Sequence, residues 1–221
     1  MMISPECFYE MYLENKSDKE IITVIRGLKN KIGYLKNVIE DPKYADENKT
    51  TPDELVQIKC NRLYLECAKK ALLEAGVTYP ASKQEQRVNL FQEKIKDIIK
   101  IEFEIGGFFQ GWSKYDVSYN DDQVIIKKEV SIITPENQNA EQVHTLDKDE
   151  FLKELKKIYI GEWRKNYSPS RFGYMVCDGT QWSLEITYKD GECYKIEGDN
   201  DYPYNFDELT ELLCIENSFT D

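Results

Sequence analysis

Hydrophobic residues along this chain follow a helical period in the first third and then alternate with polar ones. Between Asp18 and Glu40 the apolar positions are Ile21, Ile25, Leu28, Ile32, Leu35 and Ile39. Their alternating steps of four and three gather them on one helical stripe, a short heptad seam. Ser17 and Glu20 ahead of it predict a capping box. Ser4-Pro5-Glu6 predicts an earlier, shorter helix ending near Leu13. A second long helix is expected from Thr51-Pro52 to Ala75, with Thr51 as its cap, Pro52 in its first turn and Gly76 as its stop. Its stripe reads Val56, Cys60, Leu63, Cys67 and Ala71. Two long helices joined by the polar loop DPKYADENKT predict an antiparallel hairpin over residues 1–81. The same seam offers a homodimer contact.

After Ser82 one more helix is expected, from Lys83 to Ile95, carrying Val88, Phe91 and Ile95. The period then falls to two. Ile99, Ile101, Phe103 and Ile105 alternate with Lys100, Glu102 and Glu104, the pattern of a half-buried strand. The turn GGFFQG at 106–111 neither ends in Gly-Lys-Ser/Thr nor opens a helix, so it reads as a tight bend and not as a phosphate cradle. A hairpin follows, with Tyr115, Val117 and Tyr119 outgoing, a turn at Asn120-Asp121-Asp122, and a return from Val124 to Ile133. Thr134 to Thr145 reads as a polar loop, and Asp147 caps a helix bearing Phe151, Leu152, Leu155 and Ile158. A second hairpin runs through Trp182, Leu184, Ile186 and Tyr188, turns at Lys189-Asp190-Gly191 and returns through Cys193 to Ile196. Asn205 then caps a helix bearing Phe206, Leu209, Leu212 and Leu213. The expected class is α+β: a helical hairpin over 1–81, then an antiparallel sheet with two ββα units over 82–221.

The two hairpins echo one another. Val117-Ser118-Tyr119 matches Ile186-Thr187-Tyr188, and each hairpin leads to a helix, DEFLKEL or FDELTEL. An internal duplication would place both units in one sheet with their helices on one face. The register differs at one point: Trp112 stands one residue further from Val117 than Trp182 does from Ile186.

The segment WSLEITY at 182–188 and the run GDNDYPYNFDEL at 198–209 resemble a C-terminal motif of uncharacterised proteins from Gram-positive gut bacteria and their mobile elements. IGGFFQGW at 105–112 is similar to another part of such proteins. The resemblance spans about 98–213. It implies a fold and a setting, and brings no activity or catalytic residue with it.

Charge narrows the reading. The net charge is −12, and from Lys189 to Asp221 two lysines face ten carboxylates. An acidic surface repels phosphate backbones, so direct nucleic-acid binding is disfavoured. A protein partner with a basic surface fits instead, and the candidate contact residues are Glu185, Asp190, Glu192, Glu197, Asp199, Asp201, Asp207, Glu208 and Glu211. No apolar run approaches the roughly 18 residues of a membrane helix, and MMISPECFYEMYLENK lacks the layout of a secretory leader. A cytoplasmic protein is expected, and membrane association is not.

Catalytic chemistry is weakly signalled. The six cysteines show no zinc-ligand spacing and read as reduced packing residues. The lone histidine, His144, has no orienting partner in the sequence. Asp178, Glu185, Asp190, Asp199 and Asp201 could serve a small metal-dependent hydrolase, but Asp199-Asn200-Asp201 lacks the spacing of a calcium loop. The preferred expectation is a non-enzymatic interaction module without cofactor or metal. Its specific form is a mobile-element-encoded inhibitor of a host defence complex.

Overall fold

The computed structural model describes residues 2–44, 50–107, 111–131, 143–176 and 178–215. Phe108 and Phe109, most of the Thr134–Thr145 loop, Cys177, Glu216 and Asp221 lie outside these ranges. The chain divides into two compact units, Met1–Ser82 and Lys83–Asp221. No helix among the described residues is long and apolar enough to cross a membrane.

The first unit holds α1 (Pro5–Tyr12), α2 (Asp18–Ile39) and α3 (Glu54–Glu74). The caps of the first two helices follow the sequence reading. Ser4 Oγ accepts from the Cys7 amide at 3.2 Å, and the Glu20 carboxylate accepts from the Ser17 amide at 2.9 Å. The α2 seam buries Ile21, Ile25, Ile32 and Leu35. Ile21 and Ile25, near the start of α2, cluster with Ala68, Ala71 and Leu72, near the end of α3, so the two helices run antiparallel. The seam is therefore filled within the chain.

Two expectations for α3 change. Its cap is Asp53, whose Oδ1 accepts from the Val56 amide at 2.8 Å, and not Thr51. Its buried side carries Ile58, Tyr64, Ala68 and Leu72, whereas Val56 and Leu63 are exposed. The shift has a tertiary cause. α1 also packs on α3, with Phe8 stacked 4.4 Å from Tyr64 and the Tyr64 hydroxyl donating to the Ile3 carbonyl at 2.7 Å. Cys60 and Cys67 border that core without entering it.

The second unit is a seven-stranded sheet with helices on one face. Its elements are α4 (Lys83–Lys94), β1 (Ile98–Gly107), β2 (Gly111–Tyr119), β3 (Gln123–Val130), β4 (Val143–Asp147), α5 (Lys148–Ile158), β5 (Asn166–Tyr167), β6 (Gln181–Tyr188), β7 (Cys193–Asp199) and α6 (Phe206–Leu212). The strand order is β4-β3-β2-β1-β6-β7-β5. All neighbours are antiparallel except β5 and β7. His144 sits in edge strand β4 opposite Ile126, in a stretch read from sequence as loop. A register shift between Ile98 and Lys100 buries Ile98 and exposes Ile99, reversing the alternation expected there.

Residues directly opposite in an antiparallel ladder share a face. Ile101, Val117, Ile126 and Ile186 form one such row, and Phe103, Tyr115, Leu184 and Ile196 belong to the next. This face is buried under the helices. Phe91 of α4 meets Tyr194, Phe151 of α5 meets Tyr119, and Phe206 of α6 lies 4.9 Å from Trp182 and 5.9 Å from Phe103.

Both hairpins lead to a helix as expected, the first by way of the added edge strand β4, and β1 stands between them. β2 and β6 run in the same direction on opposite sides of β1, and both bury the same face. Seen from the buried face, the return strand lies to one side in the first hairpin and to the other side in the second. That is a mirror relation, which no rotation of one chiral unit onto another produces. The echo is one of register: Val117 and Ile186 both oppose Ile101, and Ser118 and Thr187 both oppose Lys100. The one-residue offset of the tryptophans puts Trp182 on the buried face and Trp112 on the open one.

Candidate functional site

The acidic residues singled out by sequence fall into four places. Glu185 on β6 and Glu197 and Asp199 on β7 project from the open face of the sheet. Asp190 and Glu192 occupy the β6–β7 turn, where both engage the Lys94 ammonium, Asp190 at 2.8 Å. Lys94 also lies over the Tyr188 ring at 4.8 Å. Those two carboxylates hold the Lys94 pKa well above the lysine range, Asp190 first, and Lys94 in turn lowers that of Asp190. This cluster fastens α4 to the hairpin turn.

Asp201 is not on the surface. It is 3% exposed, and its Oδ2 lies 3.2 Å from Arg171 Nε. The Arg171 guanidinium stacks over Phe172 at 4.3 Å. The corner around Asp201 is built on two close approaches. The Trp182 indole lies across Gly198, where a Cβ would collide with the ring, and donates to the Asp201 carbonyl at 2.9 Å. Asn200, at φ 50°, packs its amide on Gly179 and accepts from the Thr180 amide at 2.8 Å.

Asp207, Glu208 and Glu211 belong to α6, on the other side of the sheet from Glu185. Asp207 and Glu211 are exposed. Asn205 stands at the N-cap position of this helix as expected, but its side chain makes no capping hydrogen bond to it. Its side chain is 3% exposed and bridges inward: Oδ1 accepts from the Trp163 indole at 2.9 Å, and Nδ2 donates to the Ile158 carbonyl at 2.6 Å.

The open face carries residues that sequence reasoning placed in strands without assigning them a role. Glu102 accepts from Lys100 at 2.8 Å and Lys114 at 2.9 Å, and both ammoniums also approach Asp116. The two lysines, Lys100 first, lower the Glu102 pKa, and Glu102 raises theirs. The signal for this surface was the polar half of each strand alternation. Trp112 gave none, because its face depends on pairing register.

The five carboxylates considered for metal chemistry are dispersed. Asp178 is in an exposed loop, Glu185 and Asp199 are on the open face, Asp190 is in the turn at the other end of β7 from Asp199, and Asp201 is buried. Among the described residues no group of three His, Cys, Asp or Glu side chains is placed to hold a metal ion. Five of the six cysteines are described, and all five are free thiols. The helical unit has an open groove of about 440 Å³ lined by Met11, Tyr12, Lys16, Lys19 and Val24 among others. The chain matches no family model, no curated protein and no solved structure in the three comparisons made.

Proposed function

We propose that residues 83–221 form a non-enzymatic protein-interaction module that meets a basic partner through the open face of its sheet. One observation carries the reading: Lys100, Lys114 and Lys195 of that face are already paired, while Glu104 and Glu185 have no cation within 4 Å among the described residues. Uncompensated carboxylates on an uncovered surface favour a cationic partner and steer its approach. The resemblance to mobile-element proteins adds a narrower form, an inhibitor that covers a basic nucleic-acid groove of a host defence complex. Such a protein would act in the cytoplasm with its thiols reduced.

Capture from host lysate on the immobilised full chain tests this. A defined basic protein should be retained at low salt and released at high salt. The double variant Glu185→Lys/Glu197→Lys should lose it, whereas Asp207→Lys/Glu211→Lys, on the helical side, should keep it. Retention indifferent to salt, or lost equally with both variants, refutes the open-face reading.

A further inference from the structure

The open face displays an indole that the core does not use. Trp112 is 40% exposed, whereas Trp163 and Trp182, the other two tryptophans, are 0% and 2% exposed. Opposite Trp112 on β1 stands Gly106, which brings no side chain against the ring. A Cβ at Gly106 would strike the Gly111 carbonyl and the Trp112 backbone, so the pairing of β1 with β2 keeps this position bare. Tryptophan is enriched among the residues that carry interface energy, and a ring with one open side can be covered by a partner.

Two carboxylates on the same face have no cation within 4 Å among the described residues. Glu104 opposes Lys114, two residues along β2 from Trp112, but the Lys114 ammonium is held by Glu102 and Asp116. Glu185 opposes Lys195, whose ammonium lies 3.7 Å from Glu197. Glu104 is thus the diagonal neighbour of Trp112, and Glu185 is the diagonal neighbour of Glu104, each step being about 7–8 Å.

We propose that Trp112, Glu104 and Glu185 form an anchor for arginine side chains of an extended basic segment in a protein partner. The proposal rests on the open-face reading above and names the partner's chemistry. A guanidinium stacks flat on an indole and still presents N–H groups to a carboxylate, which a lysine ammonium does less well. Same-side residues of an extended chain stand roughly 6.6–6.8 Å apart, close to the diagonal spacing of the three side chains. One arginine on Trp112 and Glu104 therefore places the second at Glu185.

The test titrates the full chain with an oligo-arginine peptide and an oligo-lysine peptide of equal length at low salt. Trp112 is the one solvent-facing tryptophan, so its emission and its quenching by acrylamide report occupancy directly. Oligo-arginine should shield the ring and bind more tightly than oligo-lysine. Trp112→Ala should weaken oligo-arginine binding by about three- to thirtyfold, and Trp112→Phe by less. Glu104→Gln/Glu185→Gln should weaken it too, whereas Asp207→Asn/Glu211→Gln, which removes the same charge from the helical side, should change it by less than about twofold. Near-UV circular dichroism confirms that each variant is folded. The anchor is overturned if Trp112→Ala binds as the native chain does, if the two charge-matched variants lose equally, or if oligo-arginine leaves Trp112 exposed. Salt-dependent capture of a basic partner that Trp112→Ala does not alter would remove the anchor and leave the open-face reading intact.

Discussion

Replacing Asn205 by alanine tests whether one buried amide ties the end of α5 to the start of α6. The side chain accepts from the Trp163 indole at 2.9 Å and donates to the Ile158 carbonyl at 2.6 Å, at a site where Trp163 is 0% exposed. Alanine orphans one donor and one acceptor where water is excluded. Each orphaned group costs about 1–3 kcal/mol, so the loss is about 3 kcal/mol. All three tryptophans lie in residues 83–221, so urea unfolding followed by fluorescence reports on this unit alone. With a slope of about 2 kcal/mol per M, the midpoint should fall by roughly 1.5 M. Asn205→Asp sharpens the test. It keeps the acceptor for Trp163, sets an oxygen against the Ile158 carbonyl and buries a charge. Burial raises the folded-state pKa of that new carboxyl above its unfolded value. Its folded state is thus best tolerated below the unfolded pKa and is penalised as pH rises through the folded one. Asn205→Asp should be weaker than Asn205→Ala at pH about 7 and converge on it near pH about 4. A midpoint shift under about 0.3 M for Asn205→Ala would show that the bridge contributes little, and would refute the reasoning.

Three further outcomes are expected. Gly198→Ala drives a methyl into the Trp182 indole and should cost about 1–3 kcal/mol, with a changed near-UV spectrum; an unchanged spectrum and midpoint would mean that the corner yields easily. Glu54, 4% exposed, is pushed up by burial, but hydrogen bonds from Thr50 and Tyr44 outweigh this and leave its pKa lowered. Its contribution is present above the unfolded carboxyl value and is lost as pH falls through the folded one, so Glu54→Gln should flatten the acid limb of the far-UV unfolding curve. Glu102→Gln should cost no more than about 1 kcal/mol in dilute buffer and nothing measurable in high salt; a salt-independent loss would contradict the screened network.

What the sequence made legible was local. The capping box at Ser17 and Glu20 and the Asp147 cap depend on residues three apart, and the period-two strands on neighbours within one element. The missed features each needed a distant partner. Ile99 faces outward because a bulge arises only when β1 meets β6. The α3 stripe turns because Phe8 of α1 occupies Tyr64. Asn205 has the composition of a cap, but Trp163 and Ile158, more than forty residues upstream, take its side chain. Asp201 counted as surface charge until Arg171 enclosed it. The acidic set was visible in composition, but its division between the open face, the turn, the interior and α6 follows from topology alone.

The place of β1 at the centre of the sheet also sets a timing problem during synthesis. Its β2 edge is covered by the next strand to be made, whereas its β6 edge waits for a partner roughly 75 residues further on. At about 5–20 residues per second, that edge stays open for roughly 4–15 s on the ribosome. An unpaired strand reading IIKIEFEI is a template for pairing with other nascent chains. Lys100, Glu102 and Glu104 interrupt its apolar run on the side that later becomes the open face, and charges so placed discourage intermolecular stacking. The same alternation that leaves one face of the finished sheet uncovered thus guards the half-made one.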